Sequence, residues 1–475
     1  MLTTNIRTKA QLLEALDVAA ELEHLLLCQY SFAAYSLKRS TAEGLSEIQV
    51  SKAREWGSSV TLVARQEMEH LGLVMNMISA IGGEPYFKRP NFPQKLSIFG
   101  AADLKQELTR LDSDTVARFQ WFEHPTPAPE PGYCDTDPRV ARSMLEGRLA
   151  ELGVLHQNGG YFPATELRTR RHDAGRTAVG DVSFSSIQDL YLQIWLAFFY
   201  VADSIGEPAL FSGDPNRQIW GGPDSPYAGG MNDLNQYGVD IIRVTDLVSM
   251  SCAVLEILFQ GEGLLAPKSY VAHTHYCLFT KVLSDMRAAP ELVAARPVVR
   301  NPLTRMHPDI TAPDEVNLIT RVETREVAEV LNDSYELMLF MLLVLYGSEA
   351  LTLDQRTTLT DAAFFPLMTM FIRPLSEILT QLPAFDDRPG NAGPGFELSN
   401  AELRLGAAKT NPFPEIQLRL DRLVSAFREL SIVRTGEPPK IAERLRYLGE
   451  NMLRLAEDFR HGFDNTGRSQ DEVAS

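Results

Sequence analysis

The chain has 475 residues, with 45 Lys or Arg against 62 Asp or Glu and a formal net charge of −17. No run of Lys and Arg occurs, so the clustered positive charge that releases counterions from a phosphate backbone is missing, which argues against nucleic acid as a partner. With 44% hydrophobic and 23% charged residues the chain can bury a large core, and global disorder is excluded.

Taken from the start, Met1 to Leu16 holds no continuous apolar stretch, and the longest apolar run, Leu337 to Tyr346, is about half of a membrane span. The expectation is a cytoplasmic protein that makes no use of a membrane. Cys28, Cys134, Cys252 and Cys277 are scattered without a CxxC pair, which predicts free thiols in a reduced compartment and argues against a thiolate zinc site.

Helical periodicity dominates. Between Ala10 and Leu37 apolar residues recur at 12, 13, 16, 19, 20, 26, 27, 30, 33 and 34, a broad buried face. A second helix fits Ser51 to Ile81, stopped by Gly82, Gly83 and Pro85. Further helices are predicted over Ser186–Ala202, Thr245–Leu264, Tyr270–Met286, Val316–Tyr346, Leu353–Leu382, Pro414–Leu430 and Lys440–Phe463. Between them lie long irregular stretches at 86–100, 126–139, 206–238, 288–313 and 384–400; their aromatics, such as Trp220, Tyr227 and Tyr237, predict segments packed on the body.

The first helix carries Glu23 on its core-facing stripe with Leu16, Leu27 and Tyr30, while Glu21 lies at the edge. A buried carboxylate is costly unless paired or bound to metal. The second helix carries Glu67 and His70, an E-x-x-H pair on the face of Val63, Val74 and Ile78, able to reach one ion together. One Glu plus a Glu-x-x-His from the next helix is half of the ligand set of a carboxylate-bridged metal site. For the other half, Glu262 continues the row Leu255, Leu258 and Phe259, and His275 opens the next helix with Phe279 one turn on. Glu262 reads equally as a polar helix end and His275 as a satisfied core residue. His124, His156 and His172 read as surface residues or, in one case, an axial haem ligand; no CxxCH is present.

Leu22-Glu23-His24 with Tyr30 and Ala34-Tyr35-Ser36, then Arg65-Gln66-Glu67-Met68-Glu69-His70-Leu71 leading into Ala80-Ile81-Gly82-Gly83-Glu84-Pro85, resemble the first two helices of a bacterial ferritin-like domain family that includes iminophenyl-pyruvate dimer synthases of bisindole biosynthesis. Ser186 to Tyr191, Leu210 to Pro215 with Arg217-Gln218, Val244-Thr245-Asp246, Gln260 to Gly263, and His275-Tyr276 with Phe279 follow in the family's order, and Gly393 to Leu398 looks familial too. The resemblance implies a mainly α protein: a ferritin-like four-helix bundle with long covering loops and an additional C-terminal helical layer. The expected division is 1–290 for the bundle, 291–465 for the C-terminal helices and 466–475 for a disordered tail.

By resemblance, Glu23, Glu67, His70, Glu262 and His275 are candidate metal ligands. Asp189 stands where relatives often carry Glu in the third helix, and Ala272 where an E-x-x-H is often completed, so one ion or an unequal pair is expected as readily as two. Iron, or manganese, suits such ligands, with dioxygen or a peroxide in the open positions. Tyr30 and Tyr191 are candidate catalytic side chains in an interior that excludes water. The implied function is a non-haem oxidoreductase of secondary metabolism acting on a small aromatic or amino-acid-derived substrate, with oxidative coupling of an imine its most concrete form; the alternative is a metal-poor ferritin-like scaffold. The apolar helix 316–346, rich in Met and Leu, predicts a second layer or an interface with a second copy of the chain.

Overall fold

The computed structural model describes residues 4–95, 105–125, 134, 184, 186–221, 225, 239, 241–261, 273–348, 351–399, 412–432 and 439–473. Thr8 opens α1 (Lys9–Tyr35): its hydroxyl accepts from the Gln11 amide, and the Gln11 side chain returns to the Thr8 amide. Ser46 and Gln49 form the same reciprocal cap on α2 (Glu47–Ala80). That cap, a polar signal, starts α2 ahead of the periodic apolar stretch. Gly82, at φ 72°, supplies the left-handed residue that ends it.

Every residue of α1 from Leu22 to Ala34 is buried, so this helix is enclosed on all sides. It packs along α2, and α4 (Ile187–Ile205) and α5 (Leu247–Gln260) complete a four-helix bundle, α4 lying on α1 and α5 on both α4 and α2. Trp195 of α4 donates to Ser251 of α5 at 2.9 Å. A short helix absent from the sequence-based expectation, α3 (Ser113–Phe122), packs on α6 (His275–Ala288), which also leans on α2. Asp112 and Thr274 cap these two through the amides of Thr115 and Cys277.

The C-terminal layer consists of α7 (Val322–Gly347), α8 (Leu353–Leu379), α9 (Phe413–Ile432) and α10 (Pro439–Val473). The last turns of α8 pack on α1. Within α8, Ala363–Ile372 is a π-helical stretch around Pro366, whose missing N–H removes a normal helical bond. α7 begins at Val322 rather than 316 because Asn317–Leu318 (β4) pair in parallel with Pro302–Leu303 (β3). The other small sheet pairs β1 (Gln94–Lys95) and β2 (Lys105–Gln106) antiparallel. The stretch from 466, expected as a disordered tail, continues α10 to Val473.

The packing expected of 206–238 has a physical account in its described residues, while Tyr227 and Tyr237 lie outside them. Asn76 of α2 donates to the carbonyls of Ile219 (2.7 Å) and Ile242 (2.8 Å), and Gln218 brackets Val244 with two bonds, so both segments are pinned to the bundle. Arg217 donates to Tyr346 O at 2.7 Å and ties this covering to the end of α7. One expectation is corrected: Cys134 and Cys277 are joined as a disulfide, leaving Cys28 and Cys252 free. Among the described residues one helix, Leu353–Leu379, is long and apolar enough to cross a membrane by length and composition, with mean hydropathy 1.3 and 53% of that window buried.

Candidate metal centre

α1 presents Glu23 and α2 presents Glu67 and His70 to the space between them, and all three are at most 2% exposed. Glu67 and His70 share a face because one turn separates them, and His70 Nδ1 lies 3.0 Å from Glu67 Oε2 and 3.6 Å from Glu23 Oε2. The first residue of α6, His275, comes in from the other side, its Nδ1 3.1 Å from Glu67 Oε1. The fifth member is Glu123, the C-cap of α3, with Oε2 3.4 Å from His275 Nδ1. The ligand atoms form two groups, Glu23–Glu67–His70 and Glu67–Glu123–His275, each with its atoms within 4.8 Å of one another.

Each group thus combines one imidazole, one terminal carboxylate and one oxygen of Glu67. The imidazole rings lie stacked, 5.3 Å between centroids. Neighbouring side chains orient the ligands: Tyr191 of α4 donates to Glu23 Oε1, Tyr30 of α1 donates to Glu123 Oε1, and Gln260 Oε1 lies 3.2 Å from His70 Nε2. Gln260 itself donates to Glu69 and Glu256, which fixes its amide. Phe119 and Phe279 pack on the Tyr30 ring at 4.6 and 5.1 Å and seal that side.

Burial and crowding dominate the electrostatics. Burial, then the neighbouring Glu67 charge, pushes the Glu23 carboxyl up to about 8 and raises that of Glu123. Burial opposes the Glu67 charge too, yet His275 and His70 outweigh it and hold this carboxyl well below its usual range. Burial disfavours the imidazolium of His275, but Glu67 and Glu123 push it up to about 9, and the same balance raises His70. Burial and Glu123 keep the Tyr30 phenol protonated far above its usual range. Glu23 Oε2, Glu67 Oε1 and both ring nitrogens of His275 are buried without a hydrogen bond. Buried, unsatisfied carboxylate and imidazole atoms converging on two points are the donor set that a cation satisfies, so these residues fit a pair of metal ions.

Of the residues singled out from sequence, Glu23, Glu67, His70 and His275 come together, with Tyr191 on Glu23 and Tyr30 on Glu123. Asp189 does not join them: it sits in the first turn of α4, half-buried, with its amide on Ser186 Oγ. Two residues further on, Tyr191 reaches Glu23 instead, so α4 contributes a phenol where a carboxylate was expected. Glu262, Ala272, His156 and His172 lie outside the described residues, whereas His124 packs edge-on against Tyr276. Glu123 was missed because it ends a ten-residue helix; the aromatic pair Phe119 and Phe122 just before it was the available signal.

A helical bundle in which buried carboxylates and imidazoles converge on one shared glutamate, Glu67, is a class of arrangement that could hold metal. The chain belongs to the ferritin-like family, whose profile, described as Ferritin-like, matches residues 16–284. It is 26% identical over 488 residues to dichlorochromopyrrolate synthase of Lentzea aerocolonigenes, covering 94% of this chain and 41% of that protein. It is 24% identical over 396 residues to 2-imino-3-(indol-3-yl)propanoate dimerase of Chromobacterium violaceum, covering 80% of this chain and 33% of that one. The chain therefore spans less than half the length of these curated relatives. A crystal structure of a ferritin-like protein from Caulobacter vibrioides is 16% identical with a TM-score of 0.40, covering 74% of this chain and 93% of the other.

Proposed function

We propose that the chain is a metal-dependent enzyme, with iron in two positions, that couples two molecules of an indole-derived imino acid oxidatively. The carrying observation is Glu67, whose two oxygens each face a different histidine at 3.0 and 3.1 Å, the disposition of a carboxylate shared by two ions. Glu23 and His70 would hold one ion, Glu123 and His275 the other. The names of the two relatives, a synthase of a dichlorinated chromopyrrolate and an indolyl imine dimerase, support the substrate class.

Joining two imino acids through a new carbon–carbon bond removes two electrons and two protons, which dioxygen or a peroxide takes up. Bound iron would supply the one-electron steps that connect the two. The protein's own part is to hold charge and exclude water. Tyr30 and Tyr191, as phenols on Glu123 and Glu23, fix these two carboxylates and hold a proton against each. Gln260 holds the His70 ring so that Nδ1 faces the carboxylates.

Metal analysis after anaerobic iron loading tests this reading. About two equivalents are expected in the native chain and less than one in Glu67→Gln, with turnover of 2-imino-3-(indol-3-yl)propanoate lost in parallel. Less than about a tenth of an equivalent in the native chain would replace this reading by the metal-poor scaffold.

A further inference from the structure

On the flank of the α1–α2 pair away from the carboxylates lies a second feature that the metal chemistry does not use. It is a cavity of about 310 Å³ between these helices and the C-terminal layer. Its walls are apolar and aromatic, among them Leu27, Leu71, Phe87, Met338, Leu342 and Phe396. Gly72 leaves room there, since a Cβ at that position would lie 2.8 Å from Ile241 Cδ1. The π-helical stretch of α8 forms another wall through Phe364, Met368 and Ile372. At the inner end, Tyr335 OH meets His24 Nε2 and Cys28 Sγ, and Glu69 adds a buried carboxylate.

The wall is held in place at a conformational cost. Phe396 has φ 48°, the left-handed region that a bulky side chain avoids. Arg89 donates to its carbonyl, the Glu397 amide donates to Asn332 at 3.1 Å, and the Leu398 amide donates to Asn91 at 2.8 Å. The Glu397 carboxylate in turn accepts from Thr304, His307 and Asn332. This is the Gly393–Leu398 segment singled out from sequence, and it aims one aromatic ring into the cavity.

The mouth carries the opposite chemistry. Thr61, Arg65, Thr369 and Arg373 line it and are exposed. Beside it the single carboxylate of Glu377 is shared by Arg39 (3.0 Å), Arg373 (3.2 Å) and Arg444 (3.7 Å). A chain of net charge −17 thus places several arginines at one opening.

We propose that this cavity binds one aromatic carboxylic acid, its ring system among the apolar walls and its carboxylate at Arg65 and Arg373. The volume sits at the lower end of the roughly 300–1,000 Å³ of small-molecule sites, which suits one bicyclic acid and not a coupled pair. The choice of an indole ring rests on the function proposed above; the cavity and its cationic mouth do not. The bound acid lies back to back with the carboxylate cluster, since His24 follows Glu23 and Glu69 precedes His70 in sequence.

Calorimetric titration of the metal-free full-length chain with indole-3-propionate, and with its neutral amide, tests this. One saturable equivalent of the acid is expected. Arg65→Gln with Arg373→Gln should weaken the acid about tenfold or more and the amide less than about twofold, because only the acid loses a charge-assisted pair. Thr369→Trp at the exposed rim, and Ala64→Phe inside, should block both probes, the former without touching the core. Glu67→Gln should leave the titration unchanged. No saturable binding, equal losses for acid and amide, or retained binding in Thr369→Trp would overturn the proposal, as would loss of binding in Glu67→Gln, which would move the ligand to the carboxylate cluster. Binding of the acid by a chain that takes up no iron would keep this site and reject the metal-dependent function.

Discussion

Glu123 and Asp189 make opposite predictions. Glu123 faces His275 and the Tyr30 phenol in a fully buried setting, whereas Asp189 belongs to a first helical turn. Glu123→Gln is therefore expected to lower iron stoichiometry by about one equivalent, with the Glu23–His70 half still loaded, while Asp189→Asn leaves it unchanged. Equal losses measured by metal analysis would return Asp189 to the ligand set. A second residue speaks to stability. Asp17 is pushed up to about 6 by burial, then by the charges of Glu14 and Glu21. Its folded form holds a proton more tightly than the unfolded chain, so folding is penalised above pH 6 and the penalty fades as pH falls toward the unfolded value near 4. Asp17→Asn should raise the melting temperature at pH 8 and do so less at pH 5; an equal gain at both pH values would assign the effect to something other than this carboxyl.

At the level of elements, the disulfide between Cys134 and Cys277 fastens the chain to the first turn of α6, two residues beyond His275. It closes a loop of 143 residues, which by chain-entropy reasoning stabilises by about 4 to 5 kcal/mol. Cys134→Ser should lower the melting temperature by several degrees and reduce iron held at Glu123 and His275 more than at Glu23 and His70. Reductant should reproduce the loss in the native chain and change nothing in the variant. Long helices such as α1, α2 and α7 were legible in the sequence because many apolar residues at helical spacing add to one signal. The candidate ligands on α1 and α2 were legible for the same reason, as charged residues interrupting an apolar row, whereas His275 on α6, which spacing left open as a core residue, entered through the family resemblance. α3 was not, since only Thr115, Val116, Phe119 and Phe122 face inward over ten residues, and with it Glu123 was lost. The disulfide was not, because two cysteines 143 residues apart carry no local signal that they pair.

For the molecule as a whole, the segments 1–290 and 291–465 bury a single continuous core, from Ile6 through the α1–α2 pair to Phe459. Calorimetry of the full chain should accordingly give one cooperative transition, and residues 1–290 alone, with Leu27, Ala34 and Leu71 uncovered, should aggregate. Two well-separated transitions would mean that the two parts fold independently. The apolar α8 carries a consequence for how the protein is made. Leu353–Leu379 meets the length and composition of a bilayer-crossing segment, yet it leaves the ribosome after α1, α2 and α7. The surfaces of α1 and α7 that it packs on are then already outside the exit tunnel, whereas α10, which also covers it, follows later, so docking on the earlier helices competes with capture by the translocation machinery. A circular permutant that begins with α8 would reverse that order, offering the same residues to the insertion pathway with nothing yet built to receive them.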